Sequence, residues 1–194
     1  MNQERVINEN QYEIKREDEL SERQIYFINT LACSPSNPMI GCENQISKFQ
    51  AFLAMVPLLK GKLYWKTLSD AYLHSYGDDL IYYYVDVKRA FEKNEIQREN
   101  LMTKKEQLFL NSLQQTITIF RGMPLSERIS GNYNISWSLD KAIAEKFALA
   151  HDKARPAKDP AVVLELQINK SEVKAYFESR AESEIIYIHR NSEC

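Results

Sequence analysis

Hydrophobic residues in the first part of the chain recur every three or four positions, the spacing of helices that bury one face. This pattern predicts four helices, over residues 43–59, 63–76, 80–91 and 103–113. Pro57 and Gly61 end or kink the first of them. Thr103 and Glu106 have the spacing of a capping box at the start of the last. The first half of the chain is therefore predicted to be helical.

Beyond residue 113 the pattern changes to the two-residue alternation of strands. It predicts strands over residues 116–120, 133–138, 161–168 and 184–189, with a further candidate strand over 172–177. A helix is predicted over residues 140–150. Together with the helical first half, this predicts an α+β fold in which helices pack on a small, mostly antiparallel sheet.

The density of charged residues distinguishes the first 24 residues from the rest of the chain. Residues 1–24 are densely charged with mixed signs, which predicts a solvated arm. Residues 25–194 are expected to form one domain, with a helical part over 25–115 and a sheet part over 116–194 that carries the site.

Composition and charge narrow the classes of function. The 194 residues are 44% hydrophobic and 27% charged, as in ordinary globular proteins, and the formal net charge of −2 does not point to nucleic acid. The polar N-terminus and an apolar run limited to residues 51–59 predict a cytoplasmic protein with no membrane partner. Three cysteines without C-x-x-C and three scattered histidines predict no metal site.

Polar side chains end or begin the predicted strands. Arg121 ends the apolar row of the first strand, and Ser136 and Ser138 share one face of the second. Glu182 and Glu184 begin the last strand and, if that segment is extended, lie about 7 Å apart on one face. Taken singly, these features have structural explanations, such as an ion pair for Arg121 and an N-cap role for Ser138.

Taken together and in this order, they resemble the arginine–serine–glutamate class of mono-ADP-ribosyltransferases. The resemblance rests on I-F-R-G at 119–122, I-S-W-S at 135–138 with the A-x-x-F-A helix that follows, and S-R-A-E-S-E-I-I-Y at 179–187. The middle motif departs from the S-T-S that is common in the family. The resemblance implies a split antiparallel sheet and NAD as the substrate that carries the reactive group.

The resemblance also implies roles for the residues that bind NAD. Arg121 would hold a phosphate or the nicotinamide-side ribose, with Gly122 beside it in the same NAD-binding segment. Ser136 would orient the catalytic glutamate and Ser138 would support it, although which serine has which role stays open.

The remaining implied roles concern catalysis and the acceptor. Glu184 would be the catalytic glutamate, which stabilises the oxocarbenium-like ribose as nicotinamide leaves. Glu182 would polarise or deprotonate the acceptor. Tyr176 and Phe177 would face the acceptor. In the family, E-x-E is associated with arginine as the acceptor.

The expected function is transfer of ADP-ribose from NAD to a protein arginine or a nucleobase, without a metal. By resemblance, the protein would be a small bacterial or phage effector, one arm of a toxin–antitoxin or phage-defence pair with an inhibitor protein as partner. Two alternatives remain open from the sequence. One is an NAD glycohydrolase that uses the same residues with water, and the other is a non-enzymatic helical interaction protein.

Overall fold

The computed structural model describes residues 47–75, 77–154, 159–178 and 182–190. The predicted arm over residues 1–24 and the start of the first predicted helix lie outside these residues. The chain divides into two compact units at the boundary between Leu101 and Met102. The helix predicted over 103–113 therefore belongs to the unit that contains the sheet.

The first unit is helical. Its helices are α1 (Lys48–Met55), α2 (Gly61–Leu73), α3 (Gly77–Tyr82) and α4 (Tyr84–Glu92), followed by a 3-10 helix (Arg98–Leu101). The single helix predicted over 80–91 is wrong, because the chain forms two helices there, separated at Tyr83.

Aromatic side chains form much of the core of this first unit. Phe52 and Tyr64 pack edge to face with ring centroids 5.4 Å apart, and Tyr64 and Trp65 do so at 4.9 Å. The buried Tyr64 hydroxyl donates to the Ala90 carbonyl at 2.9 Å, which ties α2 to α4. Burial raises the pKa of Tyr64 above its ordinary value of 10.0.

The second unit contains five strands and three α-helices within the part of the chain that the structure describes. In chain order they are α5 (Lys104–Ser112), β1 (Thr116–Pro124), α6 (Leu125–Ser130), β2 (Ser136–Ser138), α7 (Lys141–Ala154), β3 (Ala161–Asn169), a 3-10 helix (Lys170–Glu172), β4 (Ala175–Phe177) and β5 (Glu184–Ile186). The capping box at the start of α5 is confirmed.

The strands form one sheet in the order β3-β1-β2-β5-β4, and every neighbouring pair is antiparallel. The α+β class and the antiparallel sheet are thus confirmed. β1 and β3 pair along their full lengths, whereas β1 and β2 are joined only at Phe120 and Ser138. The described strands form one connected sheet, so the split sheet that the motif resemblance implies is not observed among them.

Several predicted boundaries are wrong. β1 is longer than predicted, and β2 and β5 are shorter, with only three residues each. The candidate strand over 172–177 contracts to β4. Helix α6 was not predicted because it has six residues and none of them is buried, so it shows no apolar stripe.

Helix α7 packs directly on β1 at Gly122. A Cβ atom added there would lie 2.0 Å from the carbonyl oxygen of Ala144 and 2.6 Å from the amide nitrogen of Ala148. Only glycine permits this close approach of helix and strand backbones. The contact sets the position of α7 over the face of the sheet. None of the described helices has the length and apolar character needed to cross a membrane.

Candidate active site

An open cleft of about 470 Å³ lies in the second unit among β1, β2, the start of β5 and α7. Six of the eight site residues expected from the sequence line it: Arg121, Gly122, Ser136, Ser138, Glu182 and Glu184. The cleft therefore brings the arginine, serine and glutamate segments together.

Tyr176 and Phe177 do not lie in this cleft. Both are buried, at 2% and 1% exposure, although β4 stands at the end of the strand order. The Tyr176 ring stacks on Phe109 of α5 with centroids 4.4 Å apart. Their expected acceptor-facing role is corrected accordingly, since neither side chain is available to an acceptor in this structure.

The register of the strands places the central side chains on one face of the sheet. Ser138 pairs with Phe120 on one side and with Glu184 on the other. Directly opposed residues share a face, and Ser136 lies two residues along on the same face. This face of β1 is the one that α7 covers at Gly122.

Ser136 and Glu184 are joined by a short hydrogen bond. The Ser136 hydroxyl donates to Oε1 of Glu184 at 2.5 Å, and Glu184 is only 3% exposed. A charged carboxylate at this depth is costly unless hydrogen bonds stabilise it. Hydrogen bonds to an ionised acceptor are short and strong, so Ser136 both stabilises and orients this carboxylate.

Ser138 has a different role. Its hydroxyl donates to the Glu182 carbonyl at 2.7 Å and accepts the Asp140 amide at 3.0 Å. It therefore holds the backbone before β5 and the turn into α7. The structure thus distinguishes the two serines, which the sequence did not.

The two glutamates are not on one continuous strand. β5 begins at Glu184, and Ser183 has a left-handed φ of 44°. Two bonds from the end of β2 hold this turn, one from Ser138 to the Glu182 carbonyl and one from the Leu139 amide to the Ser183 carbonyl at 3.1 Å. The prediction that Glu182 and Glu184 share a face by strand alternation is wrong, although both line the cleft.

Arg121 is paired within the protein. Its Nε and Nη2 donate to the carboxylate of Glu127 at 2.7 and 3.1 Å, and Nη1 donates to the Ser136 carbonyl at 2.7 Å. By strand alternation it lies on the face opposite Glu184, so its guanidinium reaches the main chain of β2 rather than the carboxylate. Glu127 could not be identified from the sequence, because one glutamate on a helix without an apolar stripe has no distinguishing pattern.

The charge balance of the cleft is negative. Its described lining contains two carboxylates, Glu182 and Glu184, and one permanent cation, Arg121, whose charge Glu127 balances. His151 and Phe147 of α7 also line it, and Phe147 is 47% exposed. The sequence analysis assigned no role in the site to either. This cleft favours a ligand with a positive centre.

Helix α5 fixes the chain where it leaves β4. The Glu106 carboxylate accepts the Glu178 amide at 3.0 Å, and Lys105 pairs with the Glu178 carboxylate at 2.6 Å. This hydrogen-bonded pair raises the pKa of Lys105 above its ordinary value.

Comparisons with protein-family models, curated proteins and solved structures found no match. Among the described residues, no group of three or more His, Cys, Asp or Glu side chains is placed to hold a metal ion. The geometry of the cleft and the motif resemblance are therefore the two grounds for a proposed function.

Proposed function

We propose that this chain transfers ADP-ribose from NAD to a macromolecular acceptor and releases nicotinamide. The observation that carries the proposal is the buried Glu184 carboxylate held by the Ser136 hydroxyl at 2.5 Å inside a cleft. This is the pairing that the motif resemblance requires between its serine and its glutamate.

The charge of the cleft suits the substrate. The nicotinamide ring of NAD is cationic, and the ribose becomes cationic at C1′ as the glycosidic bond breaks. A fixed, largely buried carboxylate stabilises such developing charge more than it would in water.

In the proposed reaction the C1′–N bond to nicotinamide breaks, and nicotinamide leaves with the electron pair. The Glu184 carboxylate stabilises the oxocarbenium-like ribose and accepts a hydrogen bond from its 2′-hydroxyl. An acceptor nitrogen then bonds to C1′ and gives its proton to Glu182. A carboxylate at the acceptor position favours a guanidinium acceptor, so we propose protein arginine ahead of a nucleobase.

The test uses NAD labelled on its adenine half, incubated with cell lysate and with the wild type, Glu184→Gln or Glu182→Gln. Wild type should release nicotinamide and leave label on macromolecules that protease degrades. Glu184→Gln should lose both reactions, whereas Glu182→Gln should keep release and lose labelling.

The other outcomes are equally informative. Label removed by nuclease would replace arginine with a nucleobase as the acceptor. Release without labelling in the wild type would identify a glycohydrolase. A folded wild type that releases no nicotinamide would contradict the proposal and favour an interaction protein.

A further inference from the structure

Glu127 lies at the centre of a hydrogen-bond network behind the cleft. Its Oε1 accepts the Arg121 Nε at 2.7 Å and the Asn134 amide at 2.9 Å, and its Oε2 accepts Arg121 Nη2 at 3.1 Å. The Glu127 and Arg121 side chains are 18% and 13% exposed, so solvent screens the pair only partly. One carboxylate thus connects β1 to the segment that enters β2.

Helix α6, which carries Glu127, is itself fixed to the start of β3. Ser126 bonds Asp159 twice, through its amide at 2.8 Å and its hydroxyl at 2.6 Å. The Leu125 amide donates to the Pro160 carbonyl at 2.8 Å. The Glu127 carboxylate is therefore held on a helix that the Asp159 carboxylate and the Pro160 carbonyl fix in position.

The network continues to the proposed catalytic carboxylate. The two bonds from Glu127 fix the plane of the Arg121 guanidinium, and this plane aims Nη1 at the Ser136 carbonyl 2.7 Å away. The hydroxyl of the same Ser136 bonds Glu184 at 2.5 Å. Each link is a direct contact, so a change at Glu127 is transmitted through Arg121 and Ser136 to Glu184.

We infer that Glu127 is a positioning residue for Glu184. By fixing Arg121 and the entry to β2, it keeps the Ser136 hydroxyl directed at the carboxylate. The kinetic consequence of this inference rests on the proposed function, whereas its structural consequence does not.

The kinetic experiment compares the wild type with Glu127→Ala, Glu127→Gln and the matched control Ser126→Ala. The control weakens the attachment of the same helix without touching Arg121. Glu127→Ala should lower kcat for nicotinamide release by at least about tenfold and change KM for NAD by no more than about threefold. The reason is that the substitution disturbs the orientation of the Glu184 carboxylate and not the binding of NAD. Glu127→Gln retains one acceptor oxygen and should fall between Glu127→Ala and the wild type.

A second measurement needs no NAD. Amide hydrogen exchange in β2 and β5 should become at least about tenfold faster in both Glu127→Ala and Glu127→Gln, measured against the amides of β3. In Ser126→Ala, exchange in β2 and β5 should remain near the wild-type rate. A wild type that releases no nicotinamide would contradict the proposed function, and the exchange result would still decide the role of Glu127.

Three results would overturn the inference. They are unchanged exchange in β2 and β5 of both Glu127 variants, a change confined to KM, and equal losses of kcat in Ser126→Ala and Glu127→Ala. The last would show that Glu127 only supports helix α6.

Discussion

Replacing Ser136 by alanine removes one hydroxyl and leaves the backbone pairing of β2 intact. The hydroxyl donates to the Glu184 carboxylate at 2.5 Å, where Glu184 is 3% exposed. The Ser136 carbonyl still accepts Arg121, and its main chain still pairs with Ile186. The substitution therefore isolates the contact that carries the proposed function.

The size of the effect follows from the nature of this bond. Hydrogen bonds to charged groups contribute about 1.5–3 kcal/mol. If the bond persists in the transition state, its loss lowers the rate of nicotinamide release by about 10- to 150-fold. Because the buried carboxylate loses a donor, the free energy of unfolding should also fall by about 1–3 kcal/mol.

The assay measures steady-state nicotinamide release and urea unfolding for wild type, Ser136→Ala and Ser138→Ala. The Ser138 hydroxyl bonds the Glu182 carbonyl and not the Glu184 carboxylate. Its loss should therefore reduce release less than the loss of the Ser136 hydroxyl. Release by Ser136→Ala within about threefold of wild type, or a larger loss in Ser138→Ala, would refute this reasoning.

Three further predictions concern stability. Gly122→Ala should lower the free energy of unfolding in urea by about 1–3 kcal/mol, because the added Cβ would lie 2.0 Å from the Ala144 carbonyl oxygen. An unchanged urea midpoint would contradict the close packing of α7 on β1. Thr103→Ala removes the N-cap of α5 and should lower the free energy of unfolding by about 1 kcal/mol in the same assay. An unchanged free energy would mean that the cap is dispensable. The hydrogen bond from the Gly61 amide lowers the pKa of Glu95 below its ordinary value of 4.5. The ionised Glu95 therefore contributes to the free energy of unfolding above pH 4.5, and this contribution is lost as the pH falls through the lowered pKa. The difference in Tm between wild type and Glu95→Gln should narrow from pH 6 to pH 3, and a constant difference would contradict that assignment.

The features that could be predicted from the sequence depend on short segments. The capping box of Thr103 and Glu106 spans four residues, and the alternation that predicts β1 and β3 spans five and eight residues. The polar residues at the strand ends could also be identified from the sequence, because each lies within a short segment. Their meeting in one cleft follows from the strand order, which no short segment encodes.

The features that were missed depend on contacts between distant segments. The left-handed turn at Ser183 is held by hydrogen bonds from the end of β2, about 45 residues earlier, so strand alternation could not reveal it. The importance of Glu127 comes from its bonds to Arg121 and to the Asn134 amide, which no periodic pattern encodes. Burial of Tyr176 and Phe177 likewise follows from the place of β4 beside β5.

The most direct test of the proposed function is nicotinamide release from NAD by purified wild type and Glu184→Gln, with matched unfolding curves for both proteins. We expect release by the wild type and its loss in Glu184→Gln, since the substitution keeps the shape of the side chain and removes its charge. Equal release by two folded proteins, or none from a folded wild type, would contradict the assignment of this cleft as an NAD-cleaving site.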